Sequence, residues 1–262
     1  MKLKNALLII DAQNDFVKSN GALPVQGAEQ DMSRGANFIR LHSGNLSSIC
    51  LTLDSHYPIH IAHPCYWRDK DGKNPAPFTS ISSDDVKNGT WTPNFYPKEA
   101  IWYLSELEKK GKTNLIWPTH CLIGSDGAAV YKEIHDAVMY WNEESGKYPQ
   151  FWTKGSCPMT ENFSVLKAEV SFPNIPQTDF NMTWIKILES HDFVYIMGEA
   201  KSHCVKETCN DIITYAPELA KKVVIVEDCM SNIGPNDDDF WNVKAKNAGF
   251  RFINSTDNLI TY

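Results

Sequence analysis

Short apolar runs rich in β-branched and aromatic residues recur along the chain, at 6–10, 49–53, 114–117, 150–153, 193–197, 223–226 and 250–253. Each is four or five residues long and, apart from Arg251 in the last, free of charge, the signature of a strand buried on both faces. Between several of them the apolar positions fall at helical spacing, over 27–41, 98–110, 128–141, 183–189, 205–215 and 238–248. Continuous strands alternating with helices predict a parallel sheet covered on both sides. In such sheets ligands bind at the carboxyl ends of the strands, so residues just after each run are the first candidates for chemistry.

One stretch breaks the pattern. Residues 57–97 are rich in Pro, Gly, Ser, Asp and Trp, with Pro75-Ala76-Pro77, Asn88-Gly89, Trp67 and Trp91. Turn chemistry of this density predicts an irregular insertion over one edge of the sheet. Its aromatic content predicts that it packs near the cleft mouth rather than remaining disordered. The expectation is one domain over residues 1–262 with an insertion at about 57–97.

Bulk properties narrow the partners. The formal charge of −7 and the lack of a Lys/Arg run give no broad positive field for a polyphosphate backbone, which argues against nucleic acid. The first apolar run, 6–10, is too short for a signal-peptide core or a membrane span. Seven scattered cysteines, an odd number without framework spacing, suit reduced thiols in a cytoplasmic protein. Nothing in the sequence specifies an oligomer, and a homo-oligomer is compatible with it.

The strand ends carry reactive groups. Asp11 closes the first run; alone, an Asp there is more often a cap or turn former. Asp54-Ser55-His56 follows the second, with His60 and His63 close behind, and offers oxygen and nitrogen donors suited to zinc, iron or manganese. A polar loop with surface histidines is the plainer alternative. Trp117-Pro118-Thr119-His120-Cys121 supplies a further ligand candidate in His120, with Cys121 read as packing. Lys154 ends the 150–153 run, where it could stabilise a thiolate. Gly198 to Val205 links a strand to a helix and places Cys204 at the helix N-terminus, where the helix dipole and free N–H groups favour a thiolate. Buried packing is the alternative for Cys204.

Taken in order, Asp11-x-Gln13-x-Asp15-Phe16, Asp54-x-His56, Trp117-Pro118-x-His120-Cys121, Lys154-Gly155 and Gly198 to Val205 resemble the motifs of the isochorismatase-like cysteine hydrolase superfamily, in particular its nicotinamidase-related amidases. The resemblance covers most of the chain outside the insertion. It implies a three-layer αβα sandwich with a mostly parallel sheet and a triad of Asp11, Lys154 and Cys204. It further implies an oxyanion hole from the amides of Ala200 and Cys204, and a cis peptide at Glu199-Ala200. Phe16 and Trp117 would flank a flat substrate. Asp54, His56 and His120 would hold one divalent metal ion, zinc first, with iron or manganese as alternatives; His60 matches an additional histidine found near the metal in some members. Lys201-Ser202 departs from the family pattern, which commonly has a small or hydroxylated residue and then an acid there.

The activity implied is hydrolysis of a small carboxamide through a Cys204 thioester, nicotinamide to nicotinate and ammonia being the leading case. Another small-amide or carbamoyl hydrolase of the superfamily is the nearer alternative, and a non-catalytic binding protein on the same fold the farther one.

Overall fold

In the computed structural model, which describes residues 3–261, six strands form one parallel sheet: β1 (Asn5–Ile10), β2 (Leu46–Asp54), β3 (Gln150–Lys154), β4 (Phe193–Gly198), β5 (Val223–Val226) and β6 (Arg251–Ile253). Their order is β6-β5-β4-β1-β2-β3, and every pairing is parallel. The main helices are α1 (Ala28–His42), α2 (Pro97–Lys109), α3 (Lys132–Ser145), α4 (Met182–Glu189) and α5 (Lys206–Tyr215).

Strand alternation divides the core. On β1, Leu7 and Ile9 join one apolar cluster with Met32, Phe38 and Ile39 of α1 and Ile134, Val138 and Trp141 of α3. Ala6, Leu8 and Ile10 join another with Ile185 and Leu188 of α4 and Cys209 and Ile212 of α5. A two-residue repeat sends neighbouring side chains to opposite faces, so a strand flanked by helices on both sides must be apolar throughout. β1, β4 and β5 are accordingly buried at every position.

The chain leaves β1 in one direction for β2 and β3, then returns for β4 on its other side. The carboxyl ends of β1 and β4 therefore lie side by side at the switch point, with Ile10 paired to Gly198. Gly198 is required there: its φ is +123°, and a Cβ would lie 2.0 Å from the Ile10 carbonyl oxygen.

One strand assignment is corrected. The run at 114–117 lies outside the central sheet; Asn114–Leu115 instead forms a short antiparallel ribbon with Ser80–Ile81. A second ribbon pairs Trp67–Arg68 with Thr92–Pro93. The 57–97 segment thus has structure of its own. Its Tyr66, Trp67 and Ile81 build a third apolar cluster with Ala100, Tyr103, Leu104 and Leu107 of α2 and with Val170 and Phe172. Trp91 is partly buried against it.

Candidate active site

Four strand ends converge. Parallel register places Asp54 opposite Lys154 on β2 and β3, and Asp11 follows β1 directly. The Lys154 ammonium lies 3.0 Å from Asp11 Oδ2 and 2.9 Å from Asp54 Oδ1. It also donates to the Asn162 carbonyl at 2.9 Å and approaches Cys204 Sγ at 3.6 Å. Lys154 and both carboxylates are buried. Asp11 is held further by Thr52, whose hydroxyl donates to Oδ1 at 2.5 Å and accepts from the Asp11 amide at 3.0 Å. Gln13 clamps the Asp54 backbone, donating to its carbonyl at 2.7 Å and accepting from its N–H at 2.8 Å.

The electrostatics follow from burial and pairing. Burial raises the Asp11 pKa, the Lys154 charge lowers it, and the Asp54 charge raises it again, leaving it above the ordinary value. Burial also works against a charged Asp54, but His56 and Lys154 outweigh it and hold that carboxyl well below its usual range. The Cys204 thiol is pushed well up, by burial first, with Lys154 pulling the other way. In the resting site Cys204 is therefore a protonated thiol with a carboxyl of raised basicity and an ammonium beside it.

Cys204 lies in a wide helical turn, Lys201–Val205, that runs directly into α5. The Glu199-Ala200 peptide before it is cis, as the resemblance implied. The N–H groups of Lys201, His203 and Val205 bond to the carbonyls of Ser231, Ala200 and Ala200. Glu199 is buried behind this turn, with Oε2 accepting from the Ser231 amide at 3.1 Å.

A narrow pocket opens over Cys204, lined by Phe16, Asp54, Trp117, His120 and Ala200 among the residues singled out from sequence. Leu23, Glu161, Phe163, His203 and Ile233 complete its wall and were not foreseen. Phe163 and His203 both meet the Trp117 ring edge-on, at 6.3 and 5.2 Å. His203 sits in the segment after β4 that the sequence already marked, but Glu161 and Phe163 belong to the irregular chain after β3, so only the spacing from Lys154 could have pointed to them.

His120 reaches the site by an unexpected route. The segment carrying it pairs with His56 outside any strand, through His56 N–H to the Cys121 carbonyl at 3.0 Å and Ile123 N–H to the His56 carbonyl at 3.0 Å. Asp54 Oδ2 lies 2.9 Å from His56 Nε2 and 3.4 Å from His120 Nε2. His60 and His63 are buried beside them. Donor atoms of His56, His63 and His120 lie within 4.8 Å of one another, as do those of His56, His60 and Glu161. Buried imidazoles grouped around a carboxylate fit a divalent ion, and the fully buried Nε2 of His63, without a hydrogen-bond partner among the described residues, is what such an ion would satisfy. Gly155 makes room for the cluster: its φ is +78°, and a Cβ would lie 2.7 Å from His56 Cε1 and 2.8 Å from Asp54 Oδ1. Cys121 is buried, and its N–H donates to Asp15 Oδ2 at 2.7 Å, consistent with packing.

Fold and site together give an α/β protein with a parallel central sheet and a thiol, an ammonium and two carboxylates at its carboxyl edge. Its similarity is to nicotinamidases in particular. The nicotinamidase of Saccharomyces cerevisiae is 25% identical over 224 residues, 85% of each chain. The crystal structure of the yeast nicotinamidase bound to the inhibitor nicotinaldehyde superposes with a TM-score of 0.65 at 21% identity, covering 95% of this chain and 99% of the other. A pyrazinamidase of Pyrococcus horikoshii in complex with zinc superposes with a TM-score of 0.56 at 19% identity, covering 96% and 99%. No protein-family model matches the chain. The fold class and the resemblance expected from the motifs are both borne out. No helix among the described residues is long and apolar enough to cross a membrane.

Proposed function

We propose that the protein is a metal-assisted cysteine amidohydrolase that converts a small carboxamide, nicotinamide first among them, to its acid and ammonia. The observation that carries this reading is the position of Lys154, whose ammonium joins Asp11, Asp54 and the Cys204 sulfur beneath an aromatic pocket. Similarity to a curated nicotinamidase over most of both chains supports it.

Asp11 accepts the Cys204 proton as the sulfur attacks the amide carbon, and Lys154 offsets the negative charge on the thiolate. The amides of Ala200 and Cys204 hold the oxyanion. Asp11 returns the proton to the departing nitrogen, which leaves as ammonia, and a thioester remains on Cys204. Asp11 then takes a proton from the attacking water. The C–S bond breaks, the acid is released, and the proton returns to sulfur. Phe16 and Trp117 hold the substrate ring.

Asp54, His56 and His120 would hold one divalent ion, zinc first and iron or manganese next, with His60 beside them. When bound, that ion supplies a Lewis-acidic position for water or a substrate heteroatom.

The test is ammonia release from metal-replete protein across a panel of nicotinamide, pyrazinamide, aliphatic amides and carbamoyl compounds. Nicotinamide should give the highest kcat/KM. Absence of ammonia from every compound would exclude the reading, and preference for a carbamoyl compound would move the substrate class.

A further inference from the structure

Three imidazoles form a nearly equilateral group. The ring centroids of His56, His63 and His120 are 5.0, 5.2 and 5.3 Å apart, with interplanar angles of 75°, 79° and 69°. Each ring has its Nδ1 at a backbone carbonyl: Gly155 O at 3.0 Å for His56, Pro58 O at 3.3 Å for His63 and Pro118 O at 2.7 Å for His120. A carbonyl oxygen only accepts, so each Nδ1 carries a proton and each neutral ring keeps a lone pair on Nε2. This is the arrangement in which second partners orient metal-ligating histidines.

The remaining nitrogens meet acceptors or nothing. His56 and His120 turn Nε2 toward Asp54 Oδ2, and His63 Nε2 is buried without a hydrogen-bond partner among the described residues. A proton on His56 would settle its contact with Asp54 but leave the His63 lone pair without a donor. A water molecule has two protons for the three lone pairs and the carboxylate oxygen. A divalent cation satisfies all four.

His60 differs. Its Nδ1 accepts from the Ala62 amide at 3.3 Å, so its proton lies on Nε2, which donates to the Thr160 carbonyl at 3.0 Å. No lone pair is left for a metal. Its ring lies against His56 at 4.2 Å between centroids, where it buttresses that ligand. The alternative group of His56, His60 and Glu161 would require His60 to break one of these two bonds.

We infer that His63, and not His60, is the additional histidine ligand, completing a site of three imidazole nitrogens and the Asp54 carboxylate. This assignment rests on the metal-assisted reading above and specifies which side chains meet the ion.

The deciding experiment follows imidazole nitrogens in the wild-type chain, stripped with chelator and titrated with zinc, using long-range proton–nitrogen NMR spectra. The Nε2 resonances of His56, His63 and His120 should move to metal-bound positions with Nδ1 still protonated, and His60 should keep its tautomer. A response from His56 and His120 with His63 unmoved, or with His60 responding in its place, overturns the assignment while leaving the metal reading intact. No response from any of them removes the metal reading and this assignment together. In a chelator competition, His63→Gln should bind zinc at least about tenfold more weakly than wild type. Equal affinity would likewise overturn the assignment. Should that variant fail to fold, the wild-type titration still decides.

Discussion

Asp54 and Lys154 stand opposite each other in the register of two adjacent parallel strands, and their side chains meet at 2.9 Å. Because Lys154 also pairs with Asp11 at 3.0 Å, one buried ammonium is shared by two buried carboxylates. Lys154→Met should therefore abolish activity and, in the metal-free protein, destabilise the fold by about 3–5 kcal/mol, since removing one partner leaves buried charge uncompensated. Urea unfolding measures this; a change below about 1 kcal/mol would show that the carboxylates are relieved in some other way.

Cys204→Ala should lower amide hydrolysis roughly a thousandfold or more, with the fold retained. Cys121→Ala and Cys209→Ala should keep activity within about tenfold, because neither residue lines the pocket: Cys121 is buried with its N–H on Asp15, and Cys209 packs on α5 in the apolar core. Near-wild-type turnover by Cys204→Ala would end the thioester mechanism.

His56→Ala and His120→Ala should each lose most of the one metal ion expected per chain. Elemental analysis of protein purified without chelators is the measure. Full occupancy in both variants would place the ion elsewhere.

His203 lines the pocket and is held neutral: burial, then the Lys206 charge, lowers its pKa from 6.5 to about 4. A folded-state pKa below the unfolded one means that the unfolded chain binds more protons between the two values. The stabilising effect of His203 is thus fully present above pH 6.5 and is lost as the pH falls toward 4. The contribution changes by at most about 1.4 kcal/mol per pH unit. His203→Gln should flatten stability against pH in that window. Identical slopes for wild type and variant would rule the group out as a contributor.

Removing residues 69–88 should unfold or strongly destabilise the protein, because Ile81 is fully buried in the third apolar cluster and its ribbon pairs with Asn114–Leu115. The narrower change Phe78→Ala should act on binding instead. Phe78 is 59% exposed, and its ring meets the pocket residue Trp117 edge-on at 6.0 Å. KM should rise several-fold, with stability altered by no more than about 0.5 kcal/mol. Unchanged KM would detach the insertion from the pocket.

The central sheet was legible because strands buried on two faces leave an unbroken apolar run, and the residues ending those runs at Asp11, Asp54 and Lys154 inherit their place from the backbone. Residues 114–117 carry the same apolar signature yet pair with the insertion, since composition does not reveal which neighbour a short strand finds. The pocket wall was less legible for a related reason. Glu161, Phe163 and Ile233 reach the site from irregular chain, and periodicity places residues only on regular elements. His63 was visible as a histidine near Asp54, but its tautomer depends on the Pro58 carbonyl, a contact fixed only by the folded loop.

The site is also divided along the chain. Asp11, Asp54, His120 and Lys154 all precede residue 193, where the strand leading to Cys204 begins. During synthesis the Cys204 thiol is the last of these groups to leave the ribosome, and a nascent chain stopped before β4 has the ammonium and both carboxylates but not this sulfur. On the thioester mechanism proposed above, catalytic competence is a late event in the life of each molecule, gained only when β4 inserts beside β1, and turnover would serve as a readout of completed sheet assembly.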